Sequence, residues 1–179
     1  MTAIALGLPR IGGAIPAVPD TSGRGQSPLL IDRHGRRARD LRVSLTDRCN
    51  LRCTYCMPAD GLDWQPADEL LTDDELVRII TVAVQRLGIE EIRFTGGEPL
   101  LRKGLAGILA RVGDVRPRPE LSLTTNGIGF ARRADEFVAA GLDRINISLD
   151  SLDPDTFERI TRRRRLPDVL AALEAAATA

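Results

Sequence analysis

Two periodicities take turns along this chain from Leu41 onward. Leu41-Arg42-Val43-Ser44-Leu45 switches between apolar and polar at each position, the period of a strand with one covered face. Thr72-Asp73-Asp74-Glu75 then opens a helix: a hydroxyl and, three residues on, a carboxylate satisfy the free backbone donors of its first turn. Leu76, Ile79, Ile80, Ala83, Val84 and Leu87 follow at helical spacing, and Gly88 supplies the stop. The same alternation recurs three times. Glu91–Thr95 predicts a second strand, with a helix over 105–112; residues 121–125 predict a third, with a helix over 131–140 closed by Gly141. Residues 144–149 predict the fourth. Asp153-Pro154 then starts one helix and Pro167-Asp168 another, with Val169, Leu170 and Leu173 on its inner face. Strand–helix repeated four times implies an α/β fold of parallel strands joined by crossover helices.

Residues 1–28 are rich in Gly, Pro, Ala and Ser without a sustained period. They predict a disordered leader, because such a stretch buries too little apolar surface to offset its ordering entropy. The folded domain is then 29–179. Leu29-Leu30-Ile31-Asp32 followed by Arg33-His34-Gly35-Arg36 predicts a short strand and a turn, with His34 a solvated turn residue.

Charge narrows the function classes. With 25 basic and 25 acidic side chains, no net field draws the chain to nucleic acid or to a membrane surface. Aromatic residues are 3% of the chain, which speaks against a base-stacking surface. No apolar run approaches the ~20 residues of a membrane span. The stretch from Met1 to Pro19 lacks a basic segment ahead of its apolar residues, so it is a poor signal peptide.

All three cysteines fall within eight residues, Cys49-Asn50-Leu51-Arg52-Cys53-Thr54-Tyr55-Cys56. An odd number of thiols this close does not build a disulfide framework, and unpaired thiols place the protein in the cytoplasm. Three thiolates can hold three corners of a [4Fe–4S] cube and leave one iron without a protein ligand. The competing possibility is a zinc site completed by a distant residue such as His34, since structural zinc takes four ligands. The other candidate sites follow strand ends: Gly96-Gly97-Glu98-Pro99, Thr124-Thr125-Asn126-Gly127 and Ser148. In parallel sheets and barrels that edge is where ligands bind. The run Arg162-Arg163-Arg164-Arg165 is expected to be a solvated turn between two helices.

The C-x3-C-x-aromatic-C spacing, with Tyr55 as the aromatic, resembles the signature of the radical S-adenosylmethionine enzymes. The longer run from Leu41 to Pro58 resembles the GTP 3′,8-cyclase family of molybdenum cofactor biosynthesis. The resemblance runs from about Leu29 to Ala179 and covers the first half of such an enzyme. It implies a partial (β/α) barrel, of which this chain supplies about four of six units. It also implies that Cys49, Cys53 and Cys56 hold a [4Fe–4S] cluster whose open iron binds S-adenosylmethionine. One electron then cleaves the sulfonium, and the resulting 5′-deoxyadenosyl radical removes hydrogen from C3′ of GTP, leading to 3′,8-cyclo-7,8-dihydro-GTP. By matched position, Tyr55, Gly97 and Ser148 contact S-adenosylmethionine, and Arg42, Arg93 and Thr124 contact GTP.

Alternatives stay open for several of these residues. Tyr55 could pack over the cluster to exclude water, Ser148 could cap the strand end, and Arg42 and Arg93 could form internal salt bridges. The family brings further expectations: a low-potential electron donor, a cyclic pyranopterin synthase that uses the product, and often a homodimer. It also carries a second [4Fe–4S] cluster on three later cysteines, whereas no cysteine follows Cys56 here. The expectation is therefore a truncated radical domain. Another radical enzyme, for instance a peptide-modifying one, and a non-catalytic zinc module are the competing functions. The arginine-rich match before Cys49 and the placement of Arg93 and Thr124 argue against the first.

Overall fold

The computed structural model describes residues 29–179, and the expected leader lies outside the described residues. Four strands, β1 (Asp40–Ser44), β2 (Glu91–Thr95), β3 (Glu120–Thr125) and β4 (Arg144–Ile147), form one sheet in the order β1-β2-β3-β4. Every pairing is parallel. The crossovers carry α1 (Asp73–Leu87), α2 (Leu105–Gly113) and α3 (Ala134–Ala139), with α4 (Pro154–Thr161) and α5 (Leu166–Thr178) after β4. These are four βα units of a partial barrel, in the order the periodicity predicts.

Local chemistry explains most boundaries. Thr72 and Glu75 form the reciprocal cap at the start of α1: Glu75 N donates to Thr72 Oγ1 at 3.2 Å, and Thr72 N donates to Glu75 Oε2 at 2.8 Å. Gly88 ends α1 at φ 71°, a left-handed conformation that favours glycine. Asp153 caps α4 through the Thr156 N–H at 2.8 Å, and Pro154 occupies its first turn. The third helix is shorter than its apolar pattern predicts, because residues 128–133 are spent on turns after Gly127.

The two faces of the sheet differ sharply. Ile92, Phe94, Leu121 and Leu123 point to the helices and are buried against Ile80 and Val84 of α1 and Leu105, Ile108, Leu109 and Val112 of α2. Each such side chain contributes about 1.5–3 kcal/mol through burial. The other face is polar. Parallel register aligns Asp40, Glu91 and Glu120 in one row, and Arg42, Arg93, Ser122 and Arg144 in the next. Phe157 of α4 and Leu166 and Val169 of α5 form a second core with Leu51 and Ile128, and Cys49 and Cys53 pack against it. The cysteine loop is thus seated on α4 and α5.

Among the described residues, no helix is long and apolar enough to cross a membrane.

Candidate functional site

A cleft opens at the carboxyl ends of the strands. The three thiols of Cys49, Cys53 and Cys56 line it from the loop that follows β1. Tyr55 stands at its rim from the same loop, and Thr95, Gly96, Gly97 and Glu98 enter from the end of β2. Thr124, Thr125 and Asn126 arrive from β3, with Ser148 and Asp150 after β4. Seven of the nine residues singled out by sequence therefore share one cleft: the three cysteines, Tyr55, Gly97, Thr124 and Ser148.

The remaining two stand lower on the polar face. Arg42 is exposed and makes no ion pair or hydrogen bond among the described residues. Arg93 is paired already: one Nη donates to Asp40 at 2.9 Å and to Glu91 at 3.1 Å. The internal salt bridge considered for Arg93 is therefore present. Its Nε–H is nevertheless buried and unpartnered. The hydrogen bond from Arg93, together with Arg144, holds the Glu91 carboxyl below the ordinary carboxylate range.

Backbone geometry explains the glycine pair. Gly97 N donates to Thr46 O at 2.6 Å and Glu98 N to Arg48 O at 2.8 Å, so the loop after β2 runs hard against the segment leading into Cys49. A Cβ on Gly97 would overlap the carbonyl oxygens of Asp47 and Arg48. Gly96 sits at φ 148°, which L side chains rarely adopt.

Glu98 and Asn126 belong to the strand-end stretches marked in the sequence, which assigns neither an individual role, and Asp150 carries no sequence signal of its own. Glu98 is 1% exposed and accepts three hydrogen bonds, from Thr125 Oγ1 (2.6 Å), Asn126 N (2.8 Å) and Leu100 N (3.0 Å). Burial pushes its carboxyl up from the ordinary value, against those three donors. Asn126 donates to Asn50 Oδ1 at 2.7 Å and lies 3.9 Å from Cys49 Sγ. The Tyr55 hydroxyl is bonded to the Asp150 carboxylate at 3.2 Å, which ties the cysteine loop to the end of β4. Burial raises the Cys49 and Cys53 thiols above their ordinary range. A metal or cluster binding there must release protons.

The donor set fits an iron–sulfur cluster. Three free thiols face one cleft beside exposed glycine backbone, a soft sulfur donor set of the kind that holds such clusters. His34 lies elsewhere, exposed in the turn between Ile31 and Arg37, with its Nε2 accepting from Arg33.

A family model described as the Radical SAM superfamily matches residues 43–179. Curated relatives named GTP 3′,8-cyclase are similar over most of the chain. The one from Mycobacterium sp. (strain KMS) is 58% identical over 98% of this chain and 49% of its own length. That from Streptomyces coelicolor is 63% identical over 87% of this chain and 46% of its own. The chain thus spans about half the length of the curated relatives it matches. A solved structure titled "Native anSMEcpe with bound AdoMet and Cp18Cys peptide" shares the fold at a TM-score of 0.55 and 19% identity, over 78% of this chain and 39% of that one. Cleft, thiols and family model agree: the chain belongs to the radical SAM superfamily, whose chemistry uses a [4Fe–4S] cluster and S-adenosylmethionine.

Proposed function

We propose that this chain is the cluster-bearing and S-adenosylmethionine-cleaving part of a GTP 3′,8-cyclase, the enzyme that opens molybdenum cofactor biosynthesis. The observation that carries it is the meeting of Cys49, Cys53, Cys56, Tyr55, Gly97, Thr124 and Ser148 in one cleft. The identity of 58–63% to relatives bearing that name supports GTP as the substrate.

Cys49, Cys53 and Cys56 hold the cluster, which when bound supplies one electron at low potential to the sulfonium. Gly97 lets the backbone of the β2 loop approach S-adenosylmethionine closely. Ser148 offers a hydroxyl from the end of β4, and Tyr55, tethered to Asp150, closes the rim of the cleft. Thr124 lines the β3 end of the same cleft and is assigned to GTP. Below it, Arg42 offers an uncommitted guanidinium to the triphosphate, and Arg93 the positive charge of a partly exposed one. Pairing with Asp40 and Glu91 fixes the Arg93 fork in advance, so less side-chain entropy is lost when an anion arrives.

Ring closure on GTP belongs to an assembly of the relatives' full length, with a second cluster, a low-potential electron donor and a downstream cyclic pyranopterin synthase. Its expected setting is the cytoplasm, in a family that is often homodimeric. The test is anaerobic turnover with S-adenosylmethionine, dithionite and GTP. The chain is expected to form 5′-deoxyadenosine, with a yield that responds to GTP. Yield indifferent to GTP would remove the substrate assignment, and no cleavage at all would remove the activity.

A further inference from the structure

Arg162 ends α4 at φ 55°, and among the described residues no other non-glycine residue has a positive φ. Glycine is the usual occupant of such a position, because a Cβ is disfavoured there. The side chain supplies the reason for an arginine. Its Nη1 donates to the carbonyl of Arg52 and to that of Met57, each at 3.1 Å. Those two carbonyls bracket Cys53 and Cys56. The backbone of the same helix end grips the loop as well: Arg52 N donates to Thr161 O at 3.0 Å, and Thr54 N to Ile160 O at 2.9 Å. Carbonyls in the last turn of a helix have no partner within it, and here the cysteine loop provides two.

The rest of the arginine run behaves differently. Arg164 pairs with Glu158 and Arg165 with Asp168, both on the surface, and Arg163 reaches only the carbonyl of Arg162. Arg162 alone turns inward to the loop. From the other side Arg52 donates to the carbonyls of Cys49 and Leu51 at 2.7 and 2.8 Å, with its guanidinium 5.4 Å from the Trp64 ring centroid. The loop itself has no regular structure beyond the turn at Cys53, where Cys56 N and Met57 N both donate to Cys53 O. A loop of that kind loses entropy on binding unless something else has already shaped it.

We propose that Arg162 is a positioning residue: it clamps the two carbonyls that flank Cys53 and Cys56 and so holds the cysteine loop in its cluster-binding shape. This rests on the assignment of Cys49, Cys53 and Cys56 as cluster ligands. The test compares wild type, Arg162→Gly and Arg162→Lys by three measurements: alkylation rates of Cys53 and Cys56 in the cluster-free chain, iron loss to excess chelator after anaerobic reconstitution, and melting temperature. Glycine relieves the backbone strain and removes the clamp, so R162G is expected to melt no lower than wild type. It should alkylate faster and lose iron on the order of tenfold faster, the scale of two lost hydrogen bonds. Lysine, with a single ammonium, should fall between. Wild-type rates in R162G overturn the clamp. If R162G melts low, R162K decides: intermediate rates support the clamp, and wild-type rates mean that a positive charge suffices and overturn it. Wild type that takes up no cluster refutes the ligand assignment instead, and the alkylation comparison still tests the clamp.

Discussion

The carboxylate of Glu98 and the hydroxyl of Thr125 meet at 2.6 Å in a seam closed to solvent, joining the loop after β2 to the end of β3. Asn126 N and Leu100 N complete the carboxylate's shell, so three donors converge on one buried acid. The glycine-rich loop and the strand bearing Thr124 are therefore held as one rigid edge of the cleft.

Glu98→Gln tests that seam. The amide places an N–H against one of three existing donors, and a buried donor left unpaired costs about 1–3 kcal/mol. Urea denaturation is expected to report a loss of that size; an unchanged midpoint would mean the seam contributes nothing.

The same residue sets a pH dependence. Burial raises the Glu98 pKa in the folded chain above its ordinary 4.5. The folded state then binds more protons than the unfolded state, so this group's contribution to stability falls as pH rises from about 4.5 through the folded pKa. The difference in unfolding free energy between wild type and E98Q, followed upward from that pH, should shift against wild type. A constant difference contradicts the raised pKa.

Arg42 and Arg93 are expected to separate binding from stability. Arg42→Ala should leave the melting temperature unchanged, since the side chain is exposed and unpaired, yet weaken GTP binding about tenfold or more, the worth of one charge-assisted hydrogen bond. Arg93→Ala should weaken GTP binding and also lower the melting temperature, because Asp40 and Glu91 lose a shared partner. Calorimetric titration with GTP and a thermal melt distinguish the two. Unchanged GTP affinity in R42A removes Arg42 from the proposed triphosphate site.

Gly97→Ala should be poorly tolerated, because its Cβ meets the backbone carbonyls of Asp47 and Arg48, in a segment held against the β2 loop by the Gly97 N–H on Thr46 O and the Glu98 N–H on Arg48 O. Lower soluble yield, with reduced iron uptake in whatever folds, is the expected outcome. Full cluster loading at wild-type stability would mean the two loops are not held as close as their hydrogen bonds imply.

Much of this architecture is legible in the chain because its signals are local. The Thr72–Glu75 box, the Gly88 stop and the alternation in β1 each depend on neighbours a few residues away. The cysteine spacing is likewise a local motif. Glu98 and Asn126 lie in strand-end stretches the sequence marks as candidate sites, but their individual roles were not legible, nor was Arg162 as a site residue, because each acquires its role from partners far along the chain: Thr125, Asn50 and the Arg52–Met57 loop. Arg162 was moreover masked by three neighbouring arginines that do face solvent. For Arg93 the sequence offered two roles, a salt bridge or an anion contact. The ion pair is formed while part of the guanidinium stays exposed, so the two roles need not exclude each other.

In the proposed site Cys49, Cys53 and Cys56 hold a cube with one iron left for S-adenosylmethionine. Electron paramagnetic resonance of the anaerobically reconstituted and reduced chain, with and without S-adenosylmethionine, tests it most directly. A [4Fe–4S]⁺ signal is expected that changes when S-adenosylmethionine is added and is lost when any one of the three cysteines is replaced by alanine. Stoichiometric zinc with no paramagnetic signal, or a cluster signal unmoved by S-adenosylmethionine, would contradict it.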